Sequence, residues 1–214
     1  MKALKCTIWV LLGSWVVAAS SVAHPVSFKG GHEMIFESRS HGWDFRFLHS
    51  PSPHWAVGPY WIQSRSHYDT GLQASWLVHR GHFDSAQSNL YLWIGSGGVR
   101  LRSERVRGAA LAGLQADFET RDFYTAWMSE WGFRATDRPR FEHKARIGLA
   151  PYRGDDSKLN TWFIFESSYG QNPWWAESAK WKLTPMLRFY YQNVLWELGV
   201  SNHGELRWNW MVHL

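Results

Sequence analysis

Apolar and polar residues alternate at period two along most of this chain, and that spacing restricts it to half-exposed β-strands rather than amphipathic helices. From Leu206 to Leu214, the side chains of Leu206, Trp208, Trp210, Val212 and Leu214 share one face, and Arg207, Asn209, Met211 and His213 share the other. Ala110, Ala112, Leu114, Ala116 and Phe118 likewise alternate with Leu111, Gly113, Gln115, Asp117 and Glu119. A third segment sets Ala145, Ile147 and Leu149 against Glu142, Lys144 and Arg146. Further strands are expected at Glu33 to Ser38, Trp43 to His49, Trp55 to Ser64, Gly71 to Arg80, Asn89 to Gly95 and Phe123 to Phe133. The series continues with Leu159 to Tyr169, Lys180 to Tyr190 and Val194 to Ser201. Turn chemistry separates them: Ser50 to Pro53, Gly97-Gly98, Asp137 to Pro139, Gly154 to Asp156 and Asn202 to Gly204. A basic stretch from Arg100 to Arg107 reads as a longer solvated loop that faces solvent or lipopolysaccharide. The sum is about twelve strands, with about ten the next choice, and an even number puts both ends of a closed sheet on one side.

The N-terminus is organised differently. Lys2 and Lys5 precede an apolar run from Ile8 to Ala19 and then Ser21-Val22-Ala23, the pattern of an export signal over residues 1–23. The run is too short for a spanning helix, which needs roughly 20 residues. Residues 24–214 then form one domain, since no repeat or composition break divides them. Cys6, the only cysteine, lies in the signal, so residues 24–214 fold without disulfides and no thiol chemistry is open to them. The net charge of +5 falls by two when Lys2 and Lys5 are removed, which is too mild to imply a nucleic-acid partner.

Alternation alone does not say which face points inward. Composition does: of the sixteen tryptophans only Trp9 and Trp15 precede residue 24. A small soluble barrel would have to enclose the rest, whereas a membrane barrel places such rings at its two lipid–water boundaries. The expected fold is therefore all-β, a single antiparallel up-and-down transmembrane β-barrel in the outer membrane. Asp117, Glu119, Glu142, Lys144, Arg146, Arg188, Glu197 and Arg207 then face the lumen. The expected pairs are Asp117 or Glu119 with Arg146, and Glu197 with Arg188 or Arg207. Such charges either plug the lumen or form a constriction that selects small ions.

The strand Leu206, Trp208, Trp210, Val212, Leu214 resembles the C-terminal insertion signal of outer-membrane barrels, with leucine at the last position where phenylalanine is commoner. That resemblance implies recognition by the barrel-assembly machinery, besides contact with outer-membrane lipid and lipopolysaccharide. His24 to Gly31 (His-Pro-Val-Ser-Phe-Lys-Gly-Gly), Arg146 to Tyr152 and Gly204 to Leu214 are similar to segments of a family of uncharacterised proteobacterial exported proteins. The resemblance implies a barrel and transfers no activity.

Two chemistries remain to be weighed. Eight of the eleven histidines lie between His24 and His82, and imidazole binds Cu or Zn; His24, through its amine and ring, with help from His32, is the candidate metal site. Outer-membrane lipid hydrolases place a histidine two residues before a serine on one strand, and no His-x-Ser occurs here. The favoured function is thus a non-enzymatic outer-membrane barrel, an envelope component or narrow channel, with a metal-linked variant. A lipid-modifying enzyme and a soluble periplasmic barrel that binds an apolar ligand are the alternatives.

Overall fold

A computed structural model describes residues 25–39, 42–64, 67–101, 106–135, 138–153, 158–172 and 177–214. Residues 1–23, expected to be an export signal, and His24 lie outside these residues. Twelve strands follow in chain order: β1 (His32–Arg39), β2 (Gly42–Ser52), β3 (Trp55–Ser64), β4 (His67–Phe83), β5 (Ala86–Leu101), β6 (Arg107–Thr120), β7 (Phe123–Arg134), β8 (Arg140–Leu149), β9 (Asn160–Asn172), β10 (Glu177–Tyr191), β11 (Val194–Val200) and β12 (Leu206–His213). Each pairs antiparallel with its neighbours in sequence, and β1 closes on β12 with Glu33 opposite His213 and Glu37 opposite Asn209. His32 and Leu214 exchange backbone hydrogen bonds of 2.8 Å at the seam, so the described N-terminal segment and the C-terminus share one rim. Closure leaves no unpaired strand edge.

The barrel is polar inside and apolar outside. On β8, Lys144 and Arg146 are buried, while Ala145, Ile147 and Leu149 point out. On β12, Arg207 and Asn209 are buried; Leu206, Trp208 and Leu214 are exposed, and Trp210 stacks on the outward ring of Phe36. Ile94 at 67% and Leu72 at 70% exposure show how far the surface departs from that of a water-soluble protein. Aromatic neighbours crowd this outer wall, among them the stacked pair Trp55 and Trp76 and the group Phe36, Trp43, Trp61 and Tyr68.

Two expected turns are strand instead. Gly97-Gly98 lies inside β5, because a side chain at Gly97 would strike the Thr70 carbonyl of the closely approaching β4. The Ser50 to Pro53 turn is shorter than expected: β2 continues through Ser52, and Pro53-His54 makes the bend. Arg100 ends up in β5 and Arg107 in β6, so the expected basic loop is strand at both ends, and residues 102–105 lie outside the described residues. The expected turns around Asp137 and Gly154 to Asp156 fall largely or wholly outside the described residues, whereas Asn202 to Gly204 turns as expected.

The tightest described aromatic contact of the inner wall is that of Trp93 with Gly113. A Cβ built on Gly113 would lie 2.2 Å from the Trp93 indole, so this ring lies flat on the wall where the facing residue has no side chain. Gly113→Ala is expected to lower stability by about 1–3 kcal/mol through overpacking. A reduced urea midpoint in vesicles, with an unchanged slope, is the result that checks it.

Candidate functional site

Since side chains alternate along each strand, the lumen is built from every second residue of twelve strands, and nearly all of its charges meet a partner. Toward the rim opposite the termini, Arg46 donates to Asp44 at 2.9 Å and to Glu130 at 2.7 Å. Arg140, the first residue of β8, donates to the other Glu130 oxygen at 2.6 Å, and Arg134 holds Asp69 across the lumen at 3.0 Å. Lys144 lies 3.4 Å from Glu37 and 3.5 Å from Glu142. Midway down, Glu197 accepts from Arg188 at 2.8 Å, from Asn209 at 2.9 Å and from Arg146 at 3.3 Å. Arg146 also donates to Glu166 at 2.7 Å, and Arg207 approaches Glu166 at 3.6 Å. The Arg188 guanidinium sits 4.4 Å over the Tyr124 ring.

All eight lumen charges anticipated from sequence lie on inward positions, but their partners differ in part. Glu197 does pair with Arg188. Arg146, however, holds Glu166, its direct partner in the β8–β9 register, and Glu197 on β11 rather than Asp117 or Glu119. Arg207 turns to Glu166 rather than Glu197. Asp117 accepts hydrogen bonds from Asn89 at 2.7 Å and Gln115 at 2.9 Å. Several lumen charges went unnoticed in the sequence: Glu33, Asp44, Arg46, Asp69, Glu130, Arg134, Arg140 and Glu166. Period-two spacing in their strands was the available signal. In Trp43 to His49 it sets Asp44 and Arg46 together against Trp43, Phe45 and Phe47.

The lumen changes character toward the rim that carries the termini. There Leu48, Ala56, Leu77 and Tyr91 are buried against one another, with Ile35 beside them. On the opposite wall Tyr124, Ala126, Ile164 and Met186 form a second apolar cluster. Between the charges and these clusters remains a cavity of about 90 Å³, bordered by Pro25, Glu37, Arg46, Trp93, Glu130 and Arg146. Its size suits a few waters, each of which needs roughly 10–15 Å³.

Among the described residues the histidines form no cluster of three. His24 lies outside the described residues, and His32 stacks on the outer wall between Phe47 at 5.5 Å and His49 at 4.6 Å. Among the described residues, no group of three or more His, Cys, Asp or Glu side chains is placed to hold a metal, so the copper reading gains no support. A feature invisible to a search along single strands is a Ser–His contact across two strands. Ser129 on β7 faces His143 on β8, with Oγ 2.6 Å from Nδ1 on the outward wall. Ser129 is fully covered, and the ring's described neighbours are Trp131 and Phe141, with no carboxylate to orient it. The pair satisfies two polar groups on an apolar surface and lacks the parts of a hydrolytic triad.

This geometry has a counterpart among solved structures. The barrel is similar to that of a KdgM porin in complex with disordered oligogalacturonate, with 15% identity and a TM-score of 0.50 over 86% of this chain and 97% of that one. A second KdgM porin structure aligns over the same shares with 14% identity and a TM-score of 0.49. No family model matches the chain, and no curated protein matches it. The likeness is one of fold: a porin-like closed barrel of antiparallel strands.

Proposed function

We propose that this chain is an outer-membrane β-barrel forming a narrow channel for small polar solutes, with its lumen charges as the constriction. One observation carries the reading: a closed barrel turns a continuous apolar surface outward and encloses ion pairs around a cavity. A soluble barrel gains nothing from this arrangement, because it would hydrate its apolar face and bury its charges. In lipid the same arrangement satisfies both faces. Residues 1–23 supply export, the outward aromatics meet the lipid boundaries and lipopolysaccharide, and the final strand from Leu206 to Leu214 supplies the insertion signal read by the assembly machinery.

The matched charges bear on what passes. Among the described residues the lumen cations Arg46, Arg134, Arg140, Lys144, Arg146, Arg188 and Arg207 face carboxylates, and Arg80 donates to the neutral Asn89 and Tyr91, so none forms a bare positive wall. A path for a polyanion such as oligogalacturonate calls for unpaired positive charge. This lumen favours small neutral or zwitterionic solutes. In proteoliposome swelling, pentoses and small amino acids are expected to enter faster than a galacturonate oligomer of similar width. Equal entry of the polyanion contradicts the selectivity, and no entry of any solute by a barrel freed of its constrictions contradicts the channel.

A further inference from the structure

The apolar clusters at the rim of the termini pose a physical problem for a channel. An aqueous mouth would wet Leu48, Ala56, Leu77 and Tyr91, yet Leu48, Ala56 and Tyr91 are fully buried. What covers them is the segment before β1. Val26 is only 3% exposed and packs within that cluster, and Pro25 borders the lumen cavity. The segment is held to the end of β2 at several points. Ser27 donates its backbone N–H to Ser50 Oγ at 3.0 Å, Gly30 donates to the Ser50 carbonyl at 2.7 Å, and Ser50 donates to the Gly31 carbonyl at 2.9 Å. Gly30 has φ of 84°, a left-handed turn that reverses the chain from the lumen into β1. Phe28, on the same segment, stays 63% exposed at the rim.

We propose that Pro25 to Phe28 is a plug of the chain's own making: it enters the termini-side mouth, seats Val26 on the apolar wall and closes the channel proposed above, on which this inference rests. The design is suited to reversal. The contact is apolar and small, the segment's hydrogen bonds run to one strand end, and none of the lumen ion pairs has to break for Val26 to leave. The opposite rim, lined by Arg134–Asp69 and Arg140–Glu130, remains the polar entrance.

The test uses residues 24–214, the chain that export leaves on this reading, inserted in vesicles, with solute flux as the readout and the heat-dependent gel shift of a folded barrel as the check on folding. Val26→Asp is expected to raise flux roughly tenfold, since a buried valine's apolar contact is enough to shift a two-state equilibrium by about a decade. Arg46→Ala with Glu130→Ala opens the constriction at the far side of the cavity while leaving the segment seated, so it should add to Val26→Asp in combination. A cysteine pair, Ser27→Cys with Ser50→Cys, placed on Val26→Asp should restore low flux when oxidised and release it on reduction, which excludes general loosening of the barrel as the cause. If Val26→Asp matches the parent while Arg46→Ala/Glu130→Ala conducts as strongly as the combination, the plug is overturned and the channel stands. If every folded form, the combination included, passes no solute, the channel reading fails and the plug falls with it.

Discussion

Glu197→Ala is expected to destabilise the barrel by about 3–5 kcal/mol, the range found when one partner of a buried ion pair is removed. Glu197 is 3% exposed and is the acceptor shared by Arg188, Arg146 and Asn209, which come from three different strands. Arg146 would retain Glu166, but Arg188 would lose the carboxylate it donates to and keep the face of Tyr124 and the more distant charges of Asp117 and Glu119. A guanidinium in that position cannot reach bulk water without moving through the filled lumen. Glu197→Leu combined with Arg188→Leu should cost much less, because no orphaned charge is left behind. Glu37→Ala supplies the contrast. Its 3.4 Å contact with Lys144 is at the edge of ion-pair range, the side chain is 24% exposed, and Lys144 keeps Glu142 nearby, so a change of under about 1 kcal/mol is expected. Urea unfolding followed by tryptophan emission separates the three variants. Equal midpoints for Glu197→Ala and Glu37→Ala would remove Glu197 from its central position.

The ordering of these effects could not be read from the sequence, although much of the fold could. Period-two spacing is a local property, so it exposed the strands and assigned their faces. Trp55–Ser64 matches its expected limits, and the lumen charges named in advance all point inward. Pairing is a different matter, because it depends on register between strands far apart in sequence. Arg146 could be seen to face the lumen, but its choice of Glu166 and Glu197 over Asp117 follows from the order of strands around the barrel and from shear, to which no single strand's pattern is sensitive. The same limit hid Ser129 and His143, which are unremarkable apart and adjacent only because β7 and β8 pair at that register.

Glycine was misjudged for a related reason. Gly97-Gly98 looks like a turn in one dimension, and only the approach of β4 to β5 shows that Gly97 needs the absence of a side chain rather than a bend. The N-terminal plug was likewise out of reach. Nothing in the run Pro25-Val26-Ser27-Phe28 singles out Val26, and its significance comes from Leu48, Ala56, Leu77 and Tyr91, which the barrel gathers from four strands. The histidine count, by contrast, promised a site that the described residues do not assemble. Local abundance says nothing about convergence when alternate positions point to opposite sides of a wall.

Ile94→Arg should cost about 2–4 kcal/mol if the outer wall faces lipid near its midplane, the penalty measured for arginine at that depth in membrane barrels. Ile94 lies at the centre of β5, is 67% exposed, and is paired with Ala112 on one side and Ala74 on the other. Alanine neighbours give an arginine no carboxylate to bind and no rim close enough for its head group to reach water. On a soluble barrel the same substitution would be neutral or slightly favourable, since it replaces an apolar side chain in water by a charged one. The two placements thus predict opposite outcomes at a single residue. Trp208→Arg serves as the depth control: it sits near the rim opposite the termini, where the penalty in lipid falls to about 0–1 kcal/mol. A fall in urea midpoint for Ile94→Arg, far larger than for Trp208→Arg, therefore reports the position of the hydrocarbon itself. Equal, near-zero shifts at both sites would turn the apolar wall into a surface awaiting a protein partner, and the channel would lose the membrane it needs to cross.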